Sequence, residues 1–425
     1  MDTVCHASIL LFYVMKINKL TLDNGLRLVH CEDKSTQMVA LNVMYDVGAR
    51  DEHPEHTGFA HLFEHLMFGG SVNIPDYDTP LQLAGGENNA WTNNDVTNYY
   101  LTIPRSNVET AFWLESDRML ELAFSPQSLD VQREVVMEEF KQRCLNQPYG
   151  DVWHLLRPLA YTVHPYSWPT IGKELSHIAD ATLDEVKHFF FEHYAPNNAV
   201  LAVTGNLSWE ETIRLTEKWF GPIGRRTIAL RNLPVEPKQT AERRLQVERN
   251  VPVDALYMAY HMCERLGADY YAADILSDIL ANGRSSRLNQ YLVQEKKLFS
   301  SIDAFISGSV DAGLLTITGR PAQGVSLEAA EEAVCEVLNE LATQPVGEHE
   351  LEKVKNKFES THIFGNINYL NVATNLAQYE LLGGAERIDV EVDNYRSVTA
   401  DHLQKVAMEM FCKENSSILY YKAVK

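Results

Sequence analysis

The chain reads as an α+β protein of two homologous halves, each an antiparallel sheet covered by helices. Three observations predict it. With 425 residues, 45% of them hydrophobic, it can bury a large core and is too long for one compact unit. A stretch holding three prolines and many charges, PIGRRTIALRNLPVEPKQTAERR, interrupts the periodic pattern near the middle. Beyond it, the strand pattern of the first half returns at a nearly constant offset.

From the start, KLTLDNGLRLVHCED alternates apolar and polar residues around Asp23-Asn24-Gly25, a hairpin signal. VALNVMYDVGA (39–49) is β-branched and apolar, a strand. Thr57 is placed to cap a helix over the next stretch, and Gly69-Gly70 to stop it. Residues 85–104, GGENNAWTNNDVTNYYLTIP, read as a turn followed by a long strand, and Asn107 to Leu122 as a helix. A further helix runs from about Leu129 to Asn146 behind Ser125-Pro126 and Ser128. NAVLAVTGNL (198–207) is a buried strand, with Ser208 capping the helix after it.

The predicted division is a leader at 1–14, a first domain at 15–222, a linker at 223–244 and a second domain at 245–425. VALNVMY at 39–45 faces DALYMAY at 254–260, an offset of 215 that matches Ala, Leu and Tyr. Thr102-Ile103 faces Thr316-Ile317 at 214, and the strand at 198–207 faces SSILYYKAV at 416–424. Moving His61, Glu64 and His65 by 215 lands on Leu276, Ile279 and Leu280, so any chemistry on those three side chains belongs to the first half alone.

Composition limits the function. With 37 basic and 58 acidic residues the formal net charge is −21, which repels a phosphate backbone and excludes nucleic acid as main partner. The six cysteines include no CxxC pair, so they predict reduced, buried thiols rather than disulfides or a structural metal site. The leader MDTVCHASILLFYV has a short apolar run without a preceding Lys or Arg and without a clean cleavage site, weak support for a signal peptide. The expected compartment is the cytoplasm, with export as the alternative. No later segment offers about 18 uninterrupted apolar residues, so no membrane-spanning helix is expected.

The chemistry concentrates in His61-Leu62-Phe63-Glu64-His65. On a helix, residues 61 and 65 lie about 40° apart after a full turn, and residue 64 about 60° to the other side. Two imidazoles and a carboxylate thus share one stripe. Imidazole is a preferred zinc ligand, and a carboxylate beside a zinc-activated water can serve as general base. The order is the inverse of His-Glu-x-x-His. A charged cluster on a solvated helix face would look the same.

A catalytic zinc usually takes three protein ligands, so a third is sought on VQREVVMEEF. With Val135 at 0°, Val131, Val136 and Phe140 fall at about −40°, 100° and 140°, an apolar arc centred at about 50°. Glu139, at about 40°, points into that arc, whereas Glu138 and Glu134, at about −60° and −100°, point to solvent. A buried carboxylate must be paired or coordinated, so Glu139 is either the third ligand or the partner of a buried arginine. Gln132, at about 60°, is a candidate for supporting the ligands.

These segments, from LTLDNGLRLV through HTGFAHLFEHLMFGGS, NNAWTNNDVTNYY, REVVMEE, HPYSWPTIG and AVLAVTGN to NGRSSRLNQYL, resemble the pitrilysin family. These inverzincins include the insulin-degrading enzyme and the mitochondrial processing peptidase. The resemblance implies a pitrilysin-like fold, zinc on His61, His65 and Glu139, and Glu64 as general base. It also implies that Asn89 and Ala90, with Trp91 and Thr92 on the same strand, hold substrate as an added β-strand. Two positions depart from the family. Its acidic residue seven positions before the third ligand is Gln132 here, and its substrate-binding Arg and Tyr are Val293 and Ser300.

The function expected is zinc-dependent endopeptidase action on peptides or unfolded segments held in a closed chamber. The alternative is a non-catalytic or assembly subunit. The missing Arg and Tyr lead us to expect a homologous two-domain partner chain that supplies them, with a homodimer as second choice.

Overall fold

The structure, a computed structural model, describes residues 15–228 and 230–424; the leader at 1–14 lies outside them. The first half begins with strands β1 (Ile17–Thr21), β2 (Arg27–Glu32) and β3 (Met38–Tyr45), helices α1 (Phe59–Leu66) and α2 (Asp78–Leu83), and strands β4 (Glu87–Thr92) and β5 (Thr97–Pro104). Helices α3 (Val108–Leu120), α4 (Pro126–Phe140), α5 (Val152–Ala160), α6 (Leu175–Ala179) and α7 (Leu183–His193) follow, then β6 (Ala199–Gly205) and α8 (Trp209–Phe220). The second half runs β7 (Arg243–Arg249), β8 (Ala255–His261), α9 (Tyr270–Ala281), β9 (Phe299–Ile306) and β10 (Leu314–Pro321). It closes with α10 (Leu327–Thr343), α11 (Glu348–Gly365), α12 (Tyr369–Leu381), α13 (Arg387–Ser397), α14 (Ala400–Met410) and β11 (Ser416–Ala423).

The first sheet has the order β1-β2-β6-β3-β5-β4 and the second β7-β11-β8-β10-β9. Without β1 the two orders correspond strand for strand. Each also contains one parallel pair, β2 with β6 and β7 with β11, so the sheets are mixed rather than wholly antiparallel as expected. The reason is topological: the last strand of each half inserts beside an early one after a helical crossover, which imposes parallel pairing. Hydrogen-bond register also corrects the residue match. Thr102 pairs with Ala40 whereas Thr316 pairs with Ala259, so the strands correspond but Thr102-Ile103 and Thr316-Ile317 do not.

Other expectations change locally. Residues 85–104 form a hairpin, not one long strand, because the Asn93 carboxamide oxygen accepts from the amides of Asp95 and Val96 at 2.7 and 2.8 Å and turns the chain. The helix expected to reach Asn146 is α4 followed by a π turn over Lys141–Leu145. The five described cysteines are free, but of them only Cys144 is buried as expected; Cys31, Cys263 and Cys412 are half-buried and Cys335 is exposed.

The central strands are buried on both faces. Leu41, Val43 and Tyr45 face the helices of their own half. Ala40, Met44, Val200 and Ala202 face Val372, Ala373, Leu376 and Ala377 of α12, a helix of the second half. In return Val152, Leu156 and Ala160 of α5 pack on Ala255, Tyr257, Leu419 and Tyr421 of the second sheet. Each half therefore lends one amphipathic helix to the other sheet. The connecting segment is pinned too: Arg231 pairs with Asp46 and Asp51, and the Glu236 carboxylate accepts from the amides of Thr162, Val163 and His164. No helix among the described residues is long and apolar enough to cross a membrane.

Candidate active site

Helix α1 buries Leu62, Phe63 and Leu66 in the first core, which leaves His61, Glu64 and His65 on the opposite stripe. Its start is held by an unexpected residue. The N-cap is Gly58, with φ 89°, and the carboxylate that caps the first turn is Glu52. Its Oε2 accepts from the Gly58 amide and its Oε1 from the Ala60 amide, each at 2.9 Å, and the Trp168 indole donates to Oε2 at 3.1 Å. Burial pushes the Glu52 carboxyl up to about 8, opposed by those three donors. Thr57, expected as the cap, serves elsewhere: its hydroxyl lies 2.8 Å from His177 Nδ1 and accepts from the Lys173 amide at 2.8 Å. The φ above zero at position 58 explains the change, because the chain turns into the helix after Thr57 at a residue with no Cβ to clash.

The two imidazoles are T-shaped, with ring centroids 4.9 Å apart. Helix α4 packs across α1 and brings the Glu139 Oε2 to 3.6 Å from His61 Nε2 and 3.4 Å from His65 Nε2. One ligand atom from each of the three residues lies within 4.8 Å of the others, and this is the metal-competent cluster among the described residues. The protonation states fit a cation. Burial holds the His61 imidazole down at about 4, so it is neutral with a free lone pair. Contact with His65, then the charges of His61 and Arg143, hold Glu139 below the usual carboxylate range against the cost of burial. At neutral pH His61 thus faces the Glu139 carboxylate as a neutral imidazole, and with His65 the cluster offers the residue types zinc takes as ligands.

The buried face of α4 is not the predicted one. Val131 and Val135 are 49% and 45% exposed, and the face that packs inward is Leu129, Val136 and Phe140. Glu139 therefore sits at the margin of the buried face, where the site opens, rather than at its centre. The wheel gives angular positions correctly, but the neighbouring elements decide which arc is covered. Glu138 is solvent-facing and pairs with Lys141. Gln132 is half-buried and makes no hydrogen bond among the described residues. Arg143, which sequence reasoning did not single out, places Nη2 2.8 Å from Glu139 Oε1. Its signal was the i,i+4 spacing from Glu139.

Glu64 accepts a 2.6 Å hydrogen bond from the Thr92 hydroxyl, and burial raises its carboxyl above the ordinary value despite that bond. Thr92 ends β4, the outermost strand of the first sheet, so the edge carrying Asn89, Ala90, Trp91 and Thr92 is unpaired and adjacent to α1. In the second half, Leu276, Ile279 and Leu280 on α9 are fully buried in the second core. Val293 lies in a π turn, and the Ser300 hydroxyl donates to the Arg320 carbonyl at 3.1 Å.

The chain is similar to known proteins along most of its length. Residues 27–165 match Insulinase (Peptidase family M16), and residues 180–358 match Peptidase M16 inactive domain. The chain is 27% identical over 418 residues to the zinc protease PqqE of Helicobacter pylori, covering 96% of this chain and 94% of that one. It is 25% identical over 401 residues to the uncharacterized zinc protease YmxG of Bacillus subtilis, at 94% and 96% coverage. The crystal structure of a protease from Helicobacter pylori superposes with a TM-score of 0.92 at 27% identity, over 96% of this chain and 100% of that one. Pitrilysin shares the fold at a TM-score of 0.76 and 18% identity, over 96% of this chain and 45% of its own. The order of a peptidase half followed by an inactive half places the chain in peptidase family M16, the pitrilysin-type metallopeptidases.

Proposed function

We propose that this chain is a zinc-dependent endopeptidase that cleaves peptides or unfolded segments laid along the free edge of β4. The observation that carries the reading is the convergence of His61, His65 and Glu139 within 4.8 Å, beside a Glu64 oriented by the edge strand itself. Zinc held by these three residues would supply Lewis acidity to the scissile carbonyl and acidity to a water molecule. Glu64 takes the proton of the attacking water and delivers it to the leaving amine; its raised pKa suits both transfers. Arg143 fixes the Glu139 oxygen that faces away from the imidazoles. The β4 edge holds the substrate backbone through main-chain hydrogen bonds and so accepts many sequences.

Val293 and Ser300 stand where the family resemblance puts a guanidinium and a phenol that donate to the tetrahedral oxyanion, each such donor worth about 10²–10³ in rate. A homologous two-domain partner supplies them and closes the chamber; a homodimer would close it without them. The test is cleavage of an unstructured peptide by the zinc-loaded chain, with and without chelator, alone and with co-purified homologous chains. Cleavage abolished by chelator and restored by zinc supports the reading, and chelator-insensitive cleavage overturns it.

A further inference from the structure

Beneath the edge strand, on the face of the sheet turned away from the histidines, lies a cavity of about 490 Å³. Strand geometry decides which residues reach it. Ala90 and Thr92 point toward α1, as the Thr92 bond to Glu64 shows, so Asn89 and Trp91 point to the other face. Tyr100, paired with Asn89 across the hairpin, points the same way. Trp91 and Tyr100 form one wall of the cavity, and Phe358, Tyr379 and Tyr395 from α11, α12 and α13 form the opposite one. The first half thus contributes the strand and the second half the floor.

The lining is aromatic and electrically neutral. The Glu391 carboxylate accepts from Arg265 at 2.6 Å and from Tyr271 at 2.9 Å, and the Tyr395 hydroxyl donates to Asp274 at 2.5 Å. Burial keeps His362 neutral, and its Nε2 lies 2.9 Å from the Asn366 amide nitrogen. Thr374 donates to the Leu370 carbonyl at 3.1 Å, and Asn371 to the Gly365 carbonyl at 3.2 Å. A charged guest would find no unpaired counter-charge here. An aromatic guest finds ring faces, and the volume lies within the range of about 300–1,000 Å³ usual for small-molecule pockets, ample for the largest side chain.

We propose that this cavity is a specificity subsite that takes a large uncharged aromatic side chain of the substrate, from the residue next to the one lying opposite Thr92. The inference rests on the proposed peptidase reading. A peptide added to the edge of β4 alternates its side chains as β4 does, so every second one points away from the histidines and toward Trp91. Successive residues are about 3.3 Å apart along a strand, which places this subsite within one or two residues of the scissile bond.

The test uses zinc-loaded Glu64→Gln protein and labelled peptides that differ only in Phe, Ala or Lys at one position, with binding followed by fluorescence polarisation. Cleavage of the same peptides by the wild type, alone and with co-purified homologous chains, runs in parallel. Phe at one position should tighten binding and raise kcat/KM by about tenfold or more over Ala and Lys. The Asn375→Trp variant, which fills the cavity from the second half, and Trp91→Ala should each remove that preference while zinc content stays at one per chain. Peptides cleaved and bound with no aromatic preference, or a preference that survives Asn375→Trp, overturn the subsite and leave the peptidase reading standing. If no peptide is bound or cleaved, both fall.

Discussion

Glu138 and Glu139 are adjacent and chemically identical, yet one pairs with Lys141 in solvent and the other faces two imidazoles. The difference is 100° of helix rotation. Metal analysis should therefore find zinc retained in Glu138→Gln and lost from Glu139→Gln; the opposite pattern would reassign the ligand. Glu64→Gln should keep its zinc and lose at least about 10²-fold in turnover, because the amide cannot accept the proton. Thr92→Val removes the 2.6 Å bond that aims that carboxylate and should lower kcat about tenfold without changing zinc content. Of these residues the candidate ligands and the candidate base were legible from spacing. Arg143 and the orienting role of Thr92 were not, because a sequence does not say which strand end meets which helix.

Helix α1 is short and its polar stripe faces an open site, so its stability depends on how its ends are tied. The tie at its start is Glu52, six residues before the N-cap. Glu52→Ala should cost about 2 kcal/mol, the usual range for a lost helix cap with buried donors left unpaired, read as a lower midpoint of thermal unfolding. Zinc affinity should fall with it, since His61 lies two residues into the capped turn. An unchanged midpoint would show that Gly58 alone suffices. The motif pointed to the helix, but Thr57 looked like its cap by proximity. Capping from a distance leaves no local sequence signal.

Between the halves, Arg50 sits just before α1 and holds Asp95 of the first half at 3.2 Å and Asp311 of the second at 2.9 Å. His164 lies 3.4 Å from Asp311, and the Asp311 amide bonds Tyr166 at 3.1 Å. Contact with His164, then with Arg50, holds the Asp311 carboxyl below its ordinary value. A depressed carboxyl stabilises the fold above its unfolded value, about 3.9, and the contribution is lost as pH falls through the lower folded one. Asp311→Asn should thus cost about 1 kcal/mol at pH 7, a value already discounted for the carboxylate's exposure, and the gap to wild type should narrow as pH falls below the unfolded value. At the same scale, peptidase activity should rise by about 10²-fold or more when a homologous partner carrying the Arg and Tyr is added. Robust activity of the lone chain, unchanged by any partner, would remove the need for one.

The sequence by itself determined the two-half α+β plan, the restriction of the histidine motif to one half, and the candidate ligands and base. Those follow from periodicities of two and 3.6 residues and from spacings, which are local properties of the chain. Only the tertiary structure decided the parallel pair in each sheet, the exchange of α5 and α12 between the sheets, and the inward face of α4. Each of these depends on which distant surface covers a given apolar arc. Val131 and Val135 are as hydrophobic as Val136, and packing against the rest of the molecule, not side-chain type, left them in water.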